Sequence, residues 1–433
     1  MIRTYIFLCK FFLLLDNHEH KFYNILGDDG MERYILHIDV NNAFLSWTAI
    51  EMLKNGGELD IRTIPAVIGG DESRRAGVVL AKSQKAKEFG IVTGEPLYQA
   101  RKKCPGVRTF PSNYLVYKKY SNRLYQLFLE YTDKIERFSI DECFLDMTAH
   151  RMGRDIMEIA QEISSRVKKE LGFTVNIGIA SNKLLAKMAS DFSKPDKIHT
   201  LYTEEIEKKM WPLPIKELFM LGRRTVPKLY NMKIQTIGDL AHTDEQLLIR
   251  KFGKFGKMLW EYANGIDDTE VNEKEEVPKG IGNSTTLPMD VADIDKLEEV
   301  LLALTEQVTY RLRAHNMLAT VVNVQLKTKD FVTYSHQKKL YQATSNTTEI
   351  YETAKELFLQ MYQKEPIRLV GVRVDGLVQK DEVQLSFFSN PSSEKNEKID
   401  RVVDDLKKKF GYRSVTRASS SDLVKKAQKD RIE

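Results

Sequence analysis

The stretch RFSIDECFLDMT, residues 137–148, sets two carboxylates side by side, Asp141 and Glu142, with Ile140 before them and Cys143, Phe144 and Leu145 after. Burying one ionised carboxylate without a partner costs several kcal/mol, and an adjacent second one adds like-charge repulsion. Any fold that carries this stretch must bring positive charge to it. An Arg or Lys such as Arg137 would serve, and so would a bound cation; the spacing alone leaves both open. Successive side chains of a regular strand point to opposite faces, so both carboxylates can serve one ion only if the backbone turns at 140–142. A tight hairpin there would aim both at Asp39, which ends another strand. Asp39, Asp141 and Glu142 at strand ends form a ligand set for one or two Mg²⁺ ions, which prefer carboxylate and phosphate oxygens. Two such ions would activate an attacking hydroxyl and steady the leaving oxygen of a phosphoryl transfer.

At 433 residues the chain exceeds one compact core, and 42% hydrophobic content fits a globular protein. Strands are expected at 32–39, 64–70, 77–83 and 175–180, with two more around the acid pair. Helices are expected at 41–57, 86–91, 97–106, 114–131, 156–171 and 181–192, the last capped by Ser181 or Asn182. This alternation describes an α+β domain with a mixed or antiparallel sheet. Residues 204–265 carry helix-length periodicity and no convincing strand. VNEKEEVPKG, 271–280, reads as a linker. A βαββαβ module follows, with strands at 281–287, 319–328, 331–341 and 367–377 and helices at 292–315 and 347–362. A polar, Lys-rich tail from about Asn390 adds one helix, Lys398–Phe410. At the other end the apolar run Tyr5–Leu15 is broken by Lys10, is too short to span a bilayer, and precedes no small-residue cleavage site. Residues 1–30 therefore read as an extension, disordered or not native, ahead of an ordered start near Met31. No membrane partner is expected. Three cysteines far apart form neither a disulfide framework nor a zinc spacing, which fits a reducing cytosol.

Sixty-six Lys and Arg against 61 acids give a net charge of +5, which permits a nucleic-acid partner without arguing for one. Local clustering says more. In SNKLLAKMASDFSKPD, Lys183 and Lys187 stand four residues apart on one helical face and Lys194 follows in line, while Leu184, Leu185, Met188 and Phe192 form the packed face. Arg74, Arg75, Lys82, Lys85 and Lys87 gather around DESRRAG and KSQKAK. In the helical region, FMLGRRTVPKLY (219–230) and IRKFGKFGKMLWEYANG (249–265) place glycines and basic spacers between helices. Backbone N–H groups at such turns suit a phosphate backbone, with Gly222, Arg223 and Arg224 in the first and Gly253, Lys254 and Gly256 in the second. VQLSFFSN, 383–390, sets aromatics beside the tail, as in a peptide that docks in a partner's pocket.

In their order, HIDVNNAF, GVVLAKS, FSIDECFLD, IGIASNKLLAKMASDFSKP, the paired hairpins and QLSFF resemble the Y-family translesion DNA polymerases over about residues 32–388. The resemblance implies an α+β multidomain chain: palm at 31–50 and 108–200, fingers at 51–107, a helical thumb with paired helix-hairpin-helix elements at 201–268, a linker at 269–280, a βαββαβ little finger at 281–378, and a tail at 379–433. It implies low-fidelity, template-directed addition of dNTPs to a primer 3′ end in DNA damage tolerance, with no proofreading segment. Two Mg²⁺ would be held by Asp39, Asp141, Glu142 and the Val40 carbonyl. Phe44 matches the steric-gate aromatic that excludes ribonucleotides, and Lys194 the lysine on the triphosphate. Where many members carry a Tyr and an Arg in the fingers, this chain has Gln84 and Lys87; Lys87 supplies charge without a bidentate fork. Gln384, Leu385, Ser386, Phe387 and Phe388 resemble the family's sliding-clamp peptide. The implied partners are primer–template DNA, dNTP and the clamp, for a monomer in the bacterial cytoplasm at the nucleoid. Two other readings are a nucleotide cyclase on a palm-like sheet, which needs two acids but no DNA hairpins, and a DNA-binding accessory protein with a degenerate site, against which the three acids argue.

Overall fold

The structure is a computed structural model that describes residues 33–70, 75, 77–151, 153–273, 277–380, 391–412, 414 and 415. It divides into two compact units, Met1–Asp60 with Val116–Glu275, and Ile61–Leu115 with Glu276–Glu433. In chain order its strands are β1 (Ile35–Val40), β2 (Ala66–Gly69), β3 (Val79–Lys82), β4 (Arg108–Pro111), β5 (Ile135–Arg137), β6 (Glu142–Asp146), β7 (Val175–Ala180), β8 (Ile198–Thr200), β9 (Gly280–Val291), β10 (Met317–Thr328), β11 (Thr333–Thr344) and β12 (Ile367–Gln379).

The first unit is built on a sheet of order β5-β6-β1-β7-β8. β1 runs antiparallel to β6 and β7, and β8 parallel to β7, so the sheet is mixed. The two-residue period of β1 decides what each face carries. Leu36, Ile38 and Val40 enter a core with Trp47, Tyr117, Tyr120, Phe128 and Phe173, supplied largely by helices Ala43–Lys54, Tyr114–Phe128 and Ile156–Arg166. Ile35, His37 and Asp39 take the other face, where Ile35 and Phe144 pack with Leu184, Leu185 and Met188 of helix Lys183–Asp191. That helix lies so close to β7 that a Cβ on Gly178 would stand 2.0 Å from the Ala186 carbonyl oxygen. Asn182 caps it, its side chain accepting from the Leu185 N–H at 2.9 Å. The same apolar cluster continues into the helices of residues 206–263. There Thr236 and Asp239 form a capping box, and Gly253, at φ 64°, joins helices Glu245–Phe252 and Lys254–Ala263.

The second unit holds a small sheet, β3-β2-β4, and an antiparallel sheet, β11-β10-β12-β9, backed by helices Ile294–Ala314 and Thr347–Met361. Element order in the latter is βαββαβ, as the sequence pattern predicts. The C-terminal helix, Pro391–Phe410, starts earlier than expected. It is held by Arg313, which bonds the carboxylates of Asp404 (2.6 and 2.9 Å) and Asp400 (3.3 Å). β4 and β8 are absent from the sequence expectations. Both are only three or four residues long, one contains Pro111, and each exists by parallel pairing to a neighbour rather than by its own pattern.

Candidate active site

The chain does turn at Asp141. Phe138 and Ser139 both donate their N–H groups to the Glu142 carbonyl at 3.1 Å, the strand begins at Glu142, and the Asp141 carbonyl accepts from the Val40 N–H at 3.0 Å. The register sets Asp39 opposite Glu142, on the face shared with helix Lys183–Asp191. Two lysines stand there. Lys187 Nζ lies 3.1 Å from Glu142 Oε1 and 3.8 Å from Asp39 Oδ2, and Lys194 Nζ lies 3.0 Å from Asp39 Oδ2. Arg137 is not the partner: its guanidinium stacks on Tyr125, 3.9 Å from the ring centroid, and bonds Asn122. Lys183 does not join the other two amines either, because it is taken by both oxygens of Glu136 at 2.7 and 2.8 Å.

Asp141 departs from the expected convergence. Its Oδ1 accepts from the Ser139 hydroxyl at 2.7 Å, and among the described residues no three His, Cys, Asp or Glu side chains are grouped to hold one metal ion. The reason is electrostatic: Lys187 and Lys194 are engaged by Asp39, Glu142 and Asp191, the Glu142 charge repels a further carboxylate, and the Ser139 hydroxyl offers Asp141 a neutral partner. Burial pushes Asp141 upward, with the Glu142 charge adding to it. Burial likewise raises Asp39, to about 7, and a hydrogen bond with Glu142 contributes. Glu142 is driven the other way: against its own burial, its interaction with Asp39 and the Lys187 charge hold it below the usual carboxylate range.

Beneath them His37 is fully buried. Its Nδ1 bonds Ser190 Oγ at 2.8 Å, and since Ser190 donates to the Lys187 carbonyl, Nδ1 is the protonated nitrogen. Burial lowers His37 to about 4, so its ring is neutral, and among the described residues Nε2, 3.7 Å from Glu142 Oε2, has no hydrogen-bond partner.

Phe44 sits in the first turn of helix Ala43–Lys54, partly buried, its ring stacked on Tyr117 at 4.4 Å between centroids and 10° between planes. The loop bearing Lys194 is tied to the sheet: Asn176 donates to the Ser193 carbonyl at 2.6 Å, and the Asp196 N–H to Asn41 Oδ1 at 2.7 Å. Lys87 belongs to the other unit, exposed on helix Gln84–Glu88, which Ser83 caps. Gly222, Arg223, Arg224, Gly253 and Lys254 are exposed. Gly256 is a correction. It is buried, its N–H donates to the Gly253 carbonyl, and a Cβ there would stand 2.2 Å from the Leu248 carbonyl oxygen, so it serves helix packing rather than a phosphate. Gln384–Phe388 lie outside the described residues. Sequence reasoning missed Asp191, whose carboxylate takes Lys187 at 3.2 Å and Lys194 at 2.9 Å. Its i,i+4 and i,i+3 spacing to those lysines was the available signal.

The family models that match are those of the impB/mucB/samB family, over residues 38–191, and of its C-terminal domain, over residues 278–387. DNA polymerase IV of Clostridium acetobutylicum is 49% identical over 399 residues, covering 92% of this chain and all of that one. DNA polymerase IV 1 of Bacillus subtilis is 34% identical over 394 residues, covering 90% and 94%. Among solved structures, a Y-family DNA polymerase chimera aligns with a TM-score of 0.68 at 23% identity, over 80% of this chain and 99% of that one. An insertion ternary complex of the Dbh DNA polymerase aligns at 0.57 and 22%, over the same shares. The chain belongs to the impB/mucB/samB family, the Y-family of DNA polymerases. It is a DNA-directed DNA polymerase of the translesion type, and membership carries a general dependence on divalent metal ions. The residues present fit such an ion, since Asp39 and Glu142 are desolvated carboxylates brought together where positive charge is needed, as the contacts of Lys187 and Lys194 show.

Proposed function

We propose that the chain extends a primer 3′ end on a DNA template by two-metal nucleotidyl transfer, releasing pyrophosphate, with Asp39, Asp141, Glu142 and the Val40 carbonyl as ligands of two Mg²⁺ ions. The observation that carries this is the Asp39–Glu142 pair, two buried carboxylates that meet the ammonium groups of Lys187 and Lys194 at one end of the sheet. Bound there, the ions would supply activation of the primer hydroxyl and stabilisation of the leaving oxygen. Asp141 would exchange Ser139 for the ligand set, a short movement at a turn. Lys194, about a third exposed on a loop, would leave Asp39 for the triphosphate, and Lys87 would add charge from the fingers. Phe44, backed by Tyr117, would close the space that a ribose 2′-hydroxyl needs.

The exposed turns at Gly222, Arg223, Arg224, Gly253 and Lys254 would take DNA phosphates as paired helix-hairpin-helix elements of the thumb, with the βαββαβ unit as little finger. Primer–template DNA and dNTP would be the partners, in keeping with relatives named DNA polymerase IV. Gln384–Phe388 would bind the replicative sliding clamp. The reading includes synthesis without proofreading by a monomer acting at the nucleoid; among the described residues no helix is long and apolar enough to cross a membrane. Primer extension with Mg²⁺ on undamaged and damaged templates tests it. Loss of extension in Asp39→Asn and Asp141→Ala is expected, and full activity of either variant sinks the assignment.

A further inference from the structure

The two lysines on the acid pair are each held by a second carboxylate, Asp191. Lys187 is shared between Glu142 Oε1 at 3.1 Å and Asp191 Oδ2 at 3.2 Å, and Lys194 between Asp39 Oδ2 at 3.0 Å and Asp191 Oδ1 at 2.9 Å. One carboxylate thus engages both ammonium groups, one on each oxygen. Its place is fixed from two sides: by the helix, which sets residue 191 one turn beyond Lys187, and by the Asn176 and Asn41 contacts that tie down the Lys194 loop. The exposures differ in a way that matters. Asp39 and Glu142 side chains are 11% and 19% exposed, Asp191 is 47% exposed, and Lys187 is only 9% exposed.

A divalent ion placed on Asp39 and Glu142 would repel both ammonium groups. Lys194 can move toward solvent or phosphate, but Lys187 is buried, and a buried ammonium without an anion is strongly disfavoured. Asp191 supplies that anion. We propose that Asp191 is a positioning residue that retains Lys187 and Lys194 when a divalent cation displaces them from the Asp39–Glu142 pair, and so sets how readily that displacement occurs. The inference rests on the reading of that pair as metal-binding. The rival explanation is that Asp191 acts directly, as one more negative charge near the ion.

The two are separated by Mn²⁺ binding to the full chain without DNA or nucleotide, followed by electron paramagnetic resonance and by Mg²⁺ competition. Asp191→Asn is expected to weaken binding about fivefold, the upper end for a partly exposed ion pair, and Asp191→Glu to restore most of it. In a Lys187→Gln or Lys194→Gln background the added Asp191→Asn should weaken binding less than it does alone, because one of the lysines to be retained is gone. The Lys194→Gln background carries the comparison if Lys187→Gln does not fold. An unchanged affinity in Asp191→Asn overturns the inference, as does an equal loss with and without the lysine. Asp39→Asn is the control: if it leaves Mn²⁺ binding intact, the metal reading itself has failed, whereas its loss beside an unaltered Asp191→Asn condemns the positioning role alone.

Discussion

Replacing Phe44 by Ala tests the gate and the packing that sets it. The ring is partly buried and lies 4.4 Å from the Tyr117 ring at 10°, while Tyr117 is fully buried against Trp47. Phe44 therefore cannot retreat into the core without displacing a packed aromatic, and overpacking of that kind costs about 1–3 kcal/mol. If Phe44 is the gate, a nucleotide with a 2′-hydroxyl would face that cost and a dNTP would not. Removing the ring should lower the preference for dNTP over rNTP by about 5- to 150-fold, the same energy read as a rate ratio. Lost stacking, about 0.5–1.5 kcal/mol, should appear separately as a lower Tm. The assay is single-nucleotide insertion of dCTP and CTP opposite template G, comparing kcat/KM in wild type, Phe44→Ala and Phe44→Leu. Leucine should fall between the two, since it keeps part of the volume without the flat ring. A discrimination ratio unchanged in Phe44→Ala, with the Tm reduced, would assign Phe44 to packing alone and refute the gate.

Gly178→Ala should destabilise the first unit by at least ~3 kcal/mol, because the added Cβ meets the Ala186 oxygen at 2.0 Å and the Ser190 nitrogen at 2.5 Å, both backbone; an unchanged Tm would mean the helix is not seated on β7 as described. Arg313→Met takes the cation from the carboxylates of Asp400 and Asp404, whose side chains are 9% and 13% exposed, at a cost of about 3–5 kcal/mol. Limited proteolysis should then cut within Pro391–Phe410 first, and a protease pattern like that of wild type would count against this docking. The backbone N–H groups of Thr236 and Gln235 hold Asp239 below the usual carboxylate range. A carboxylate depressed in the folded state adds stability that is present above its unfolded pKa and is lost as pH falls through the folded one. Asp239→Asn should therefore lower Tm at neutral pH and converge with wild type in acid; a gap that widens in acid would reverse the sign.

Much of this architecture was legible because it depends on local pattern. Alternation in ILHIDV fixes two faces for β1 and puts Asp39 opposite the packed Leu36, Ile38 and Val40 whatever the strand pairs with. What resisted reading depended on distance. Lys183 and Lys187 share a helical face in sequence and are equivalent to any periodicity argument, yet one turn of helix carries Lys183 to Glu136 on β5 and Lys187 to Glu142 on β6. Only the sheet order, β5 beside β6 beside β1, separates their roles. Gly256 failed for a related reason: a glycine at a basic hairpin and a glycine at a helix crossing look alike until Leu248 is found against it.

The acid pair joins both kinds of information. Its sequence demanded a turn and a positive partner. The turn is local, and it is present; the partner is not local, and it proved to be two lysines rather than Arg137. Asp141 then follows from charge. Lys187 and Lys194 are each shared with Asp191 as well as with the acid pair, and Asp141 turns to the Ser139 hydroxyl. A doubly charged ion would change that balance, because it alone adds the charge that makes three acids on one side of a strand end stable together. The contact of Asp141 with Ser139 and the convergence expected on a divalent ion therefore have a single electrostatic cause.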